Sequence, residues 1–181
     1  MKKIVIIGAG AMGSAFSVPC EENSHEVFLV GSFLEDKLIE DIKKLDNFHP
    51  NLKCQLPKKV KVMKFSEFIN KKIKEIDLLV IGVSSKGIDW IGEEISNFYD
   101  KKTNILLLTK GLTIIDNQFE TLAEKLKKIL KNRNINDPKI SAVGGPCLAN
   151  GLANKINSSV VLANENIEIV GDLQSANVFA E

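Results

Sequence analysis

The chain has 181 residues, with 24 Lys and Arg against 23 Asp and Glu, and is 44% hydrophobic and 26% charged. That length suits one full domain or a domain with a fragment of a second, and the composition argues against disorder and fibrous repeats. The near-neutral balance gives no general electrostatic reason to bind nucleic acid, and no segment approaches the ~20 uninterrupted apolar residues of a membrane span.

Residues 4–7 form the first predicted strand, and a glycine turn leads from it into a helix from Met12 to about Asn23. Three glycines interrupt the apolar start, so no signal peptide is read and a cytoplasmic protein is expected. A second strand covers 27–30, and Leu34, Leu38, Ile42 and Leu45 recur at helical spacing after it. Residues 47–57, with two prolines and little periodicity, read as a longer loop over a sheet, and 59–63 as a weak strand. Strand 78–81, a helix carrying Ile88, Ile91, Ile95 and Phe98, and strand 105–108 follow. Phe119, Leu122, Leu126, Ile129 and Leu130 mark another helix, 139–143 a weak strand and 159–162 a further strand. Residues 167–181 read as one more helix or strand that stops short. The main strands are apolar on both faces, as buried parallel strands are when helices cover each side. Strand alternating with helix along the whole chain predicts an α/β fold with a doubly wound, mostly parallel sheet, and ligand in the crevice beyond the strands' carboxyl ends.

Cys20, Cys54 and Cys147 form no CxxC pair, and His25 and His49 lack a second ligand at metal spacing. Neither a disulfide framework nor a metal site is expected, and both histidines are given surface or loop roles. Eight lysines and one glutamate in 53–74 read as a solvated surface.

The chemistry-bearing motif is Gly8-Ala9-Gly10-Ala11-Met12-Gly13, between strand and helix. In a Rossmann-type unit Gly8 makes the tight turn, Gly10 lets a pyrophosphate approach the backbone, and Gly13 packs helix on strand. Amides at the start of the helix, at Ala11 and Met12, then hold the phosphates. An NAD unit usually places an acid at the end of its second strand; here Gly31 and Ser32 follow Val30, and Glu35 is the first acid. The ribose carboxylate is therefore expected to be missing, with Ser32 and Lys37 compatible with a 2'-phosphate, leaving NAD and NADP open. Ser84 and Lys110 follow the next two main strands, where nicotinamide and substrate would meet. Partial burial of Lys110 is expected to suit it to an oxyanion or phosphate; the alternative is a lysine ending a strand in solvent. The turn Gly144-Gly145-Pro146-Cys147-Leu148-Ala149 either sets amides against an anion or is a plain strand-to-helix turn.

GAGAMGSAF, HPNLKCQLP, LVIGVSSKGI, LLLTKGL and VGGPCLANGLANKINSSVVLA, in this order, resemble the N-terminal domain of NAD(P)-dependent glycerol-3-phosphate dehydrogenases over nearly all 181 residues. The resemblance implies reversible hydride transfer between a nicotinamide cofactor and dihydroxyacetone phosphate or sn-glycerol 3-phosphate, in glycerophospholipid precursor metabolism. It implies that Lys110 contacts substrate and cofactor, that Gly145 and Cys147 help bind the phosphate substrate, and that Ser32 and Ala149 lie against the cofactor. The chain departs from the family's usual residues at Cys147, Gly151, Asn157 and Ser158, so the substrate pocket matches less well than the cofactor loop. The family's second lysine and its phosphate-binding arginine lie in a helical C-terminal domain beyond this sequence. The expectation is one dinucleotide-binding domain over 1–181, inactive alone, completed by that domain or a separate chain, and a homodimer when complete. Alternatives are a ketopantoate-reductase-like or 6-phosphogluconate-dehydrogenase-like enzyme, and a non-catalytic NAD(P)-sensing module.

Overall fold

A computed structural model describes residues 1–115 and 117–175. The first unit is β1 (Lys3–Ile7), α1 (Ala11–Glu22) and β2 (Glu26–Val30), with the two strands parallel. After α2 (Asp36–Lys44), β3 (Phe48–His49) and β4 (Cys54–Gln55) pair as a small separate hairpin, and β5 (Lys61–Met63) joins the free side of β2. The chain then returns through α3 (Phe65–Lys71) to β6 (Leu78–Ile81), on the other side of β1. Next come α4 (Ile88–Ile95), β7 (Asn104–Leu107), a hairpin of β8 (Leu112–Ile115) and β9 (Gln118–Thr121), and α5 (Leu122–Asn132). The last elements are β10 (Ile140–Gly144), α6 (Ala149–Ala153), β11 (Val161–Ala163) and α7 (Ile167–Ser175).

The main sheet runs β11-β10-β7-β6-β1-β2-β5, parallel throughout except for β11. Winding goes outward from β1 to β2 and β5, then outward the other way through β6, β7 and β10. The reversal places a crevice beyond the carboxyl ends of β1 and β6, the general ligand position of doubly wound folds. Alternate side chains of β1 enter opposite layers. Ile4 and Ile6 pack with Phe16 of α1 and Ile39 of α2, whereas Val5 and Ile7 belong to a second cluster with Ile88, Ile91 and Leu126.

Three of the differences from expectation bear on the packing of the main layers. Helix α2 buries Ile39 and Ile42 and leaves Leu34 and Leu45 exposed, because it runs only from Asp36 to Lys44 and both leucines lie outside it. Phe119 lies exposed in β9 rather than in a helix; α5 begins three residues later, where Thr121 and Glu124 cap it reciprocally. Residues 159–162 were expected as a buried parallel strand. Instead β11 is an antiparallel edge strand, its Leu162 opposite Val143, with Val161 exposed. Part of the expected last element is α7, and 176–181 of that range lie outside the described residues. Among the described residues no helix is long and apolar enough to cross a membrane.

Candidate functional site

The turn after β1 sits where the winding reverses. Gly8 donates its N–H to the Val30 carbonyl at 2.8 Å, and Gly82, after β6, donates to Ile7 at 2.8 Å. Gly8 has φ +110°, a conformation side chains rarely adopt, and a Cβ there would stand 2.5 Å from the Gly82 carbonyl carbon. A Cβ on Gly13 would stand 2.0 Å from the Gly8 oxygen, so α1 presses on the strand only because both positions are bare. Gly10 differs: a Cβ there would meet one atom, Glu35 Oε1, at an ordinary 3.5 Å. The fold needs Gly8 and Gly13, but it leaves open the space that Gly10 borders. Gly10 is also the residue before α1, whose start has no side-chain cap, so the amides of its first turn are available to an anion. Ala11 is exposed and Met12 half-buried at that start.

Two contacts unseen in the sequence brace the turn. His49, fully buried on the β3 and β4 hairpin, lies 3.0 Å through Nε2 from the Ala9 carbonyl, while its Nδ1 accepts the Leu52 N–H at 3.1 Å. The second bond leaves Nδ1 without a proton and makes Nε2 the donor to Ala9. Ser14 adds its hydroxyl to the same carbonyl at 2.9 Å. His49, expected in a surface or loop role, instead ends the short strand β3 and is fully buried, because residues 47–57 fold down onto the glycine turn.

The second contact is made by Glu35, the first acid after β2. Glu35 Oε2 accepts N–H bonds from Ala9 at 3.0 Å and from Ser32 at 2.7 Å. The acid lies five residues beyond β2, yet the turn into α2 folds it back across the glycine loop. Half-buried Ser32 meets it through its backbone.

On the other side of the crevice, Thr109 donates its hydroxyl to the Val83 carbonyl at 2.5 Å, tying together the ends of β6 and β7, and Ser84 is exposed beside them. Lys110 is exposed rather than partly buried, because β7 ends at Leu107 and the lysine stands in the open turn before β8. Its Nζ donates to the Gly145 carbonyl at 2.5 Å, which brings Lys110 to the turn after β10. Gly145 has φ +104°, and Cys147 beyond it is buried. Ala149, half-buried, starts α6. A largely apolar cavity of about 390 Å³ lies beside this region, lined by Met12, Phe16, Leu108, Lys110, Cys147 and Val160 among others. At its rim Lys155 is paired with Glu22, whereas Lys110 holds a carbonyl, so its charge is free to attract an anion. The structure thus gathers Gly8, Gly10, Ala11, Met12, Gly13 and Ser32 at the turn after β1, and Lys110, Gly145 and Cys147 beside the cavity.

Residues 3–170 match the family described as the NAD-dependent glycerol-3-phosphate dehydrogenase N-terminus. The chain belongs to this family. It is 31% identical over 164 residues to the NADP(+)-dependent glycerol-3-phosphate dehydrogenase of Archaeoglobus fulgidus, a match covering 89% of this chain and 46% of that protein. It is 27% identical over 180 residues to the glycerol-3-phosphate dehydrogenase [NAD(P)+] of Mesoplasma florum, covering 99% of this chain and 51% of that one. The solved glycerol-3-phosphate dehydrogenase of Coxiella burnetii shares the fold, with a TM-score of 0.78, 20% identity, and coverage of 99% of this chain and 51% of its own. The chain spans about half the length of these curated relatives.

Proposed function

We propose that residues 1–181 form a dinucleotide-binding domain that holds NAD or NADP for a glycerol-3-phosphate dehydrogenase reaction. The observation carrying this reading is the contrast among the three glycines: Gly8 and Gly13 are filled by backbone, while Gly10 borders open space beside unengaged helix-start amides. The residues present fit a dinucleotide, with the amides of Ala11 and Met12 toward the pyrophosphate, Glu35 and Ser32 at the ribose, and Ser84 and Ala149 farther along the crevice. The nicotinamide, when bound, supplies or takes up the hydride exchanged with C2 of sn-glycerol 3-phosphate or dihydroxyacetone phosphate.

This chain's own contribution is positioning and charge. Lys110 places an ammonium beside the substrate oxygen on which negative charge develops, and the turn from Gly145 to Cys147 orients the phosphate-bearing substrate. The thiol of Cys147 is a weaker donor than a hydroxyl, which favours the Gly145 and Lys110 contacts as the main polar grip. Exposed Lys110 lacks the dry surroundings that make such a charge effective, so the reaction belongs to a protein in which a further domain or chain covers that face. We place that protein, a homodimer, in the cytoplasm and in the supply of glycerophospholipid precursors.

The reaction is tested by following NADH or NADPH absorbance after adding dihydroxyacetone phosphate to residues 1–170 joined to the C-terminal half of the Archaeoglobus fulgidus relative, with the 181-residue chain beside it. The joined protein is expected to turn over, the chain alone to bind cofactor without turnover, and Lys110→Ala to slow the joined protein about 100-fold. An undiminished rate in Lys110→Ala removes that residue from the reaction. Full-rate turnover by the 181-residue chain contradicts the need for a covering element.

A further inference from the structure

We propose that the apolar cavity beside Lys110 binds single-chain amphiphiles with a phosphate monoester head, such as a monoacylated glycerol phosphate, which compete there with the substrate. The inference rests on the glycerol-3-phosphate dehydrogenase reading of Lys110 and deepens it by assigning an inhibitory ligand to the same corner of the fold.

The cavity, of about 390 Å³, has room for a ligand much larger than a three-carbon phosphate. Met12, Phe16, Pro19 and Glu22 line it from one face of α1, and three helical turns make that wall about 15 Å long. Leu152 and Ile156 come from α6, which packs against α1, and from the loop after it; Leu108 lies just past β7 and Val143 in β10. sn-Glycerol 3-phosphate and dihydroxyacetone phosphate carry an oxygen on every carbon, so neither has apolar surface to bury along Phe16, Pro19 and Leu152. The substrate of the proposed reaction accounts for the Lys110 end of the cavity and not for its apolar length.

Charge sits at the two ends. Helix α1 starts at the carboxyl edge of the sheet, so Met12 lies toward Lys110, which follows β7 at that edge. Lys110 Nζ donates to the Gly145 carbonyl at 2.5 Å, a neutral partner that leaves its charge uncompensated. At the far end Lys155 is paired with Glu22, which neutralises that cation. An anion is therefore favoured at one end only, with apolar wall from there to the ion pair. A cationic head meets the Lys110 charge, and a second anionic end meets Glu22. One anionic head and one aliphatic tail satisfy both ends and the wall between them. Acyl transfer from an activated acyl donor to one hydroxyl of sn-glycerol 3-phosphate, with the donor's carrier as leaving group, makes such a molecule. Its head takes the place of the substrate's phosphate beside Lys110 and its chain lies along α1, so a product of later acylation displaces the compound from which it was made.

Calorimetric titration of the 181-residue chain with decyl phosphate and with butyl phosphate, both below micelle-forming concentrations, tests the proposal. Decyl phosphate is expected to bind at least about 100-fold more tightly, because its added methylenes are buried. Ile156 is 62% exposed at the lip of the cavity. Ile156→Glu should therefore leave the melting curve and NADH affinity unchanged, while its carboxylate on the apolar wall weakens decyl phosphate binding about tenfold or more. Lys110→Ala should weaken it about tenfold through loss of the charged partner. In the protein joined to the C-terminal half of the Archaeoglobus fulgidus relative, decyl phosphate should raise the apparent KM for dihydroxyacetone phosphate and leave kcat unchanged. Equal binding of the two phosphates, or undiminished decyl phosphate binding in folded Ile156→Glu, overturns the site. Binding to the chain without competition in the joined protein means that the covering element fills the cavity, and overturns the inhibitory role. A chain that binds decyl phosphate but neither dinucleotide keeps the cavity site and contradicts the dehydrogenase reading instead.

Discussion

His49 shows how one buried side chain can hold the glycine turn in shape from a distant part of the chain. Its two ring nitrogens satisfy the Ala9 carbonyl and the Leu52 N–H inside a site with no solvent exposure, so removal leaves buried backbone groups without these partners and a cavity as well. His49→Ala should cost about 2–4 kcal/mol in urea unfolding, and NADH binding should weaken because Ala9 precedes Gly10; unchanged stability would contradict the clamp. The glycine fingerprint was legible because Gly8, Gly10 and Gly13 sit within one turn and one helix start. Glu35 and His49 were not, since they reach Ala9 from positions 26 and 40 residues away, and only the folded paths of α2 and the β3 and β4 hairpin bring them there. The fingerprint marks where a phosphate is expected, but not which side chains shape the loop around it.

At the scale of elements, the decisive contact is α1 against the ends of β1 and β6. Gly13 lies against the Gly8 carbonyl, and a Cβ on Gly82 would come within 3.2 Å of the Gly13 Cα, so backbone meets backbone without any side chain to give way. Gly13→Ala is therefore expected to lower stability by at least about 2 kcal/mol, the scale of forced overpacking, measured by thermal or urea unfolding. A wild-type melting curve for that variant would mean that helix and strand are not packed this closely. The apolar runs that became β1, β2, β6 and β7 were legible because burial on both faces leaves a continuous hydrophobic signature. β11 misled because 159–162 has the same signature while running antiparallel at the sheet edge, and pairing direction is set by the returning chain rather than by local composition. The start of α5 could have been read better: Thr121 followed by Glu124 is a capping-box spacing, and it excludes Phe119 from the helix.

Across the whole molecule, the order of strands matters more than any single motif, because it turns two glycine-bearing turns toward one crevice and brings Lys110 onto the Gly145 carbonyl beside a neighbouring cavity. Alternation of strand and helix made the doubly wound sheet legible, whereas the exposure of Lys110 depends on where β7 stops. The central claim is that the open space beside Gly10 receives a dinucleotide pyrophosphate. It is tested most directly by cofactor-fluorescence titration of NADH against the wild-type chain and Gly10→Val, with thermal unfolding of both. Position 10 has φ −63° and ψ −179°, which an ordinary side chain adopts without strain, so the variant should fold and melt like the wild type. Its binding should nevertheless fall by well over tenfold, because the added methyl groups occupy the pyrophosphate path. Undiminished NADH affinity in a folded Gly10→Val chain would contradict the account.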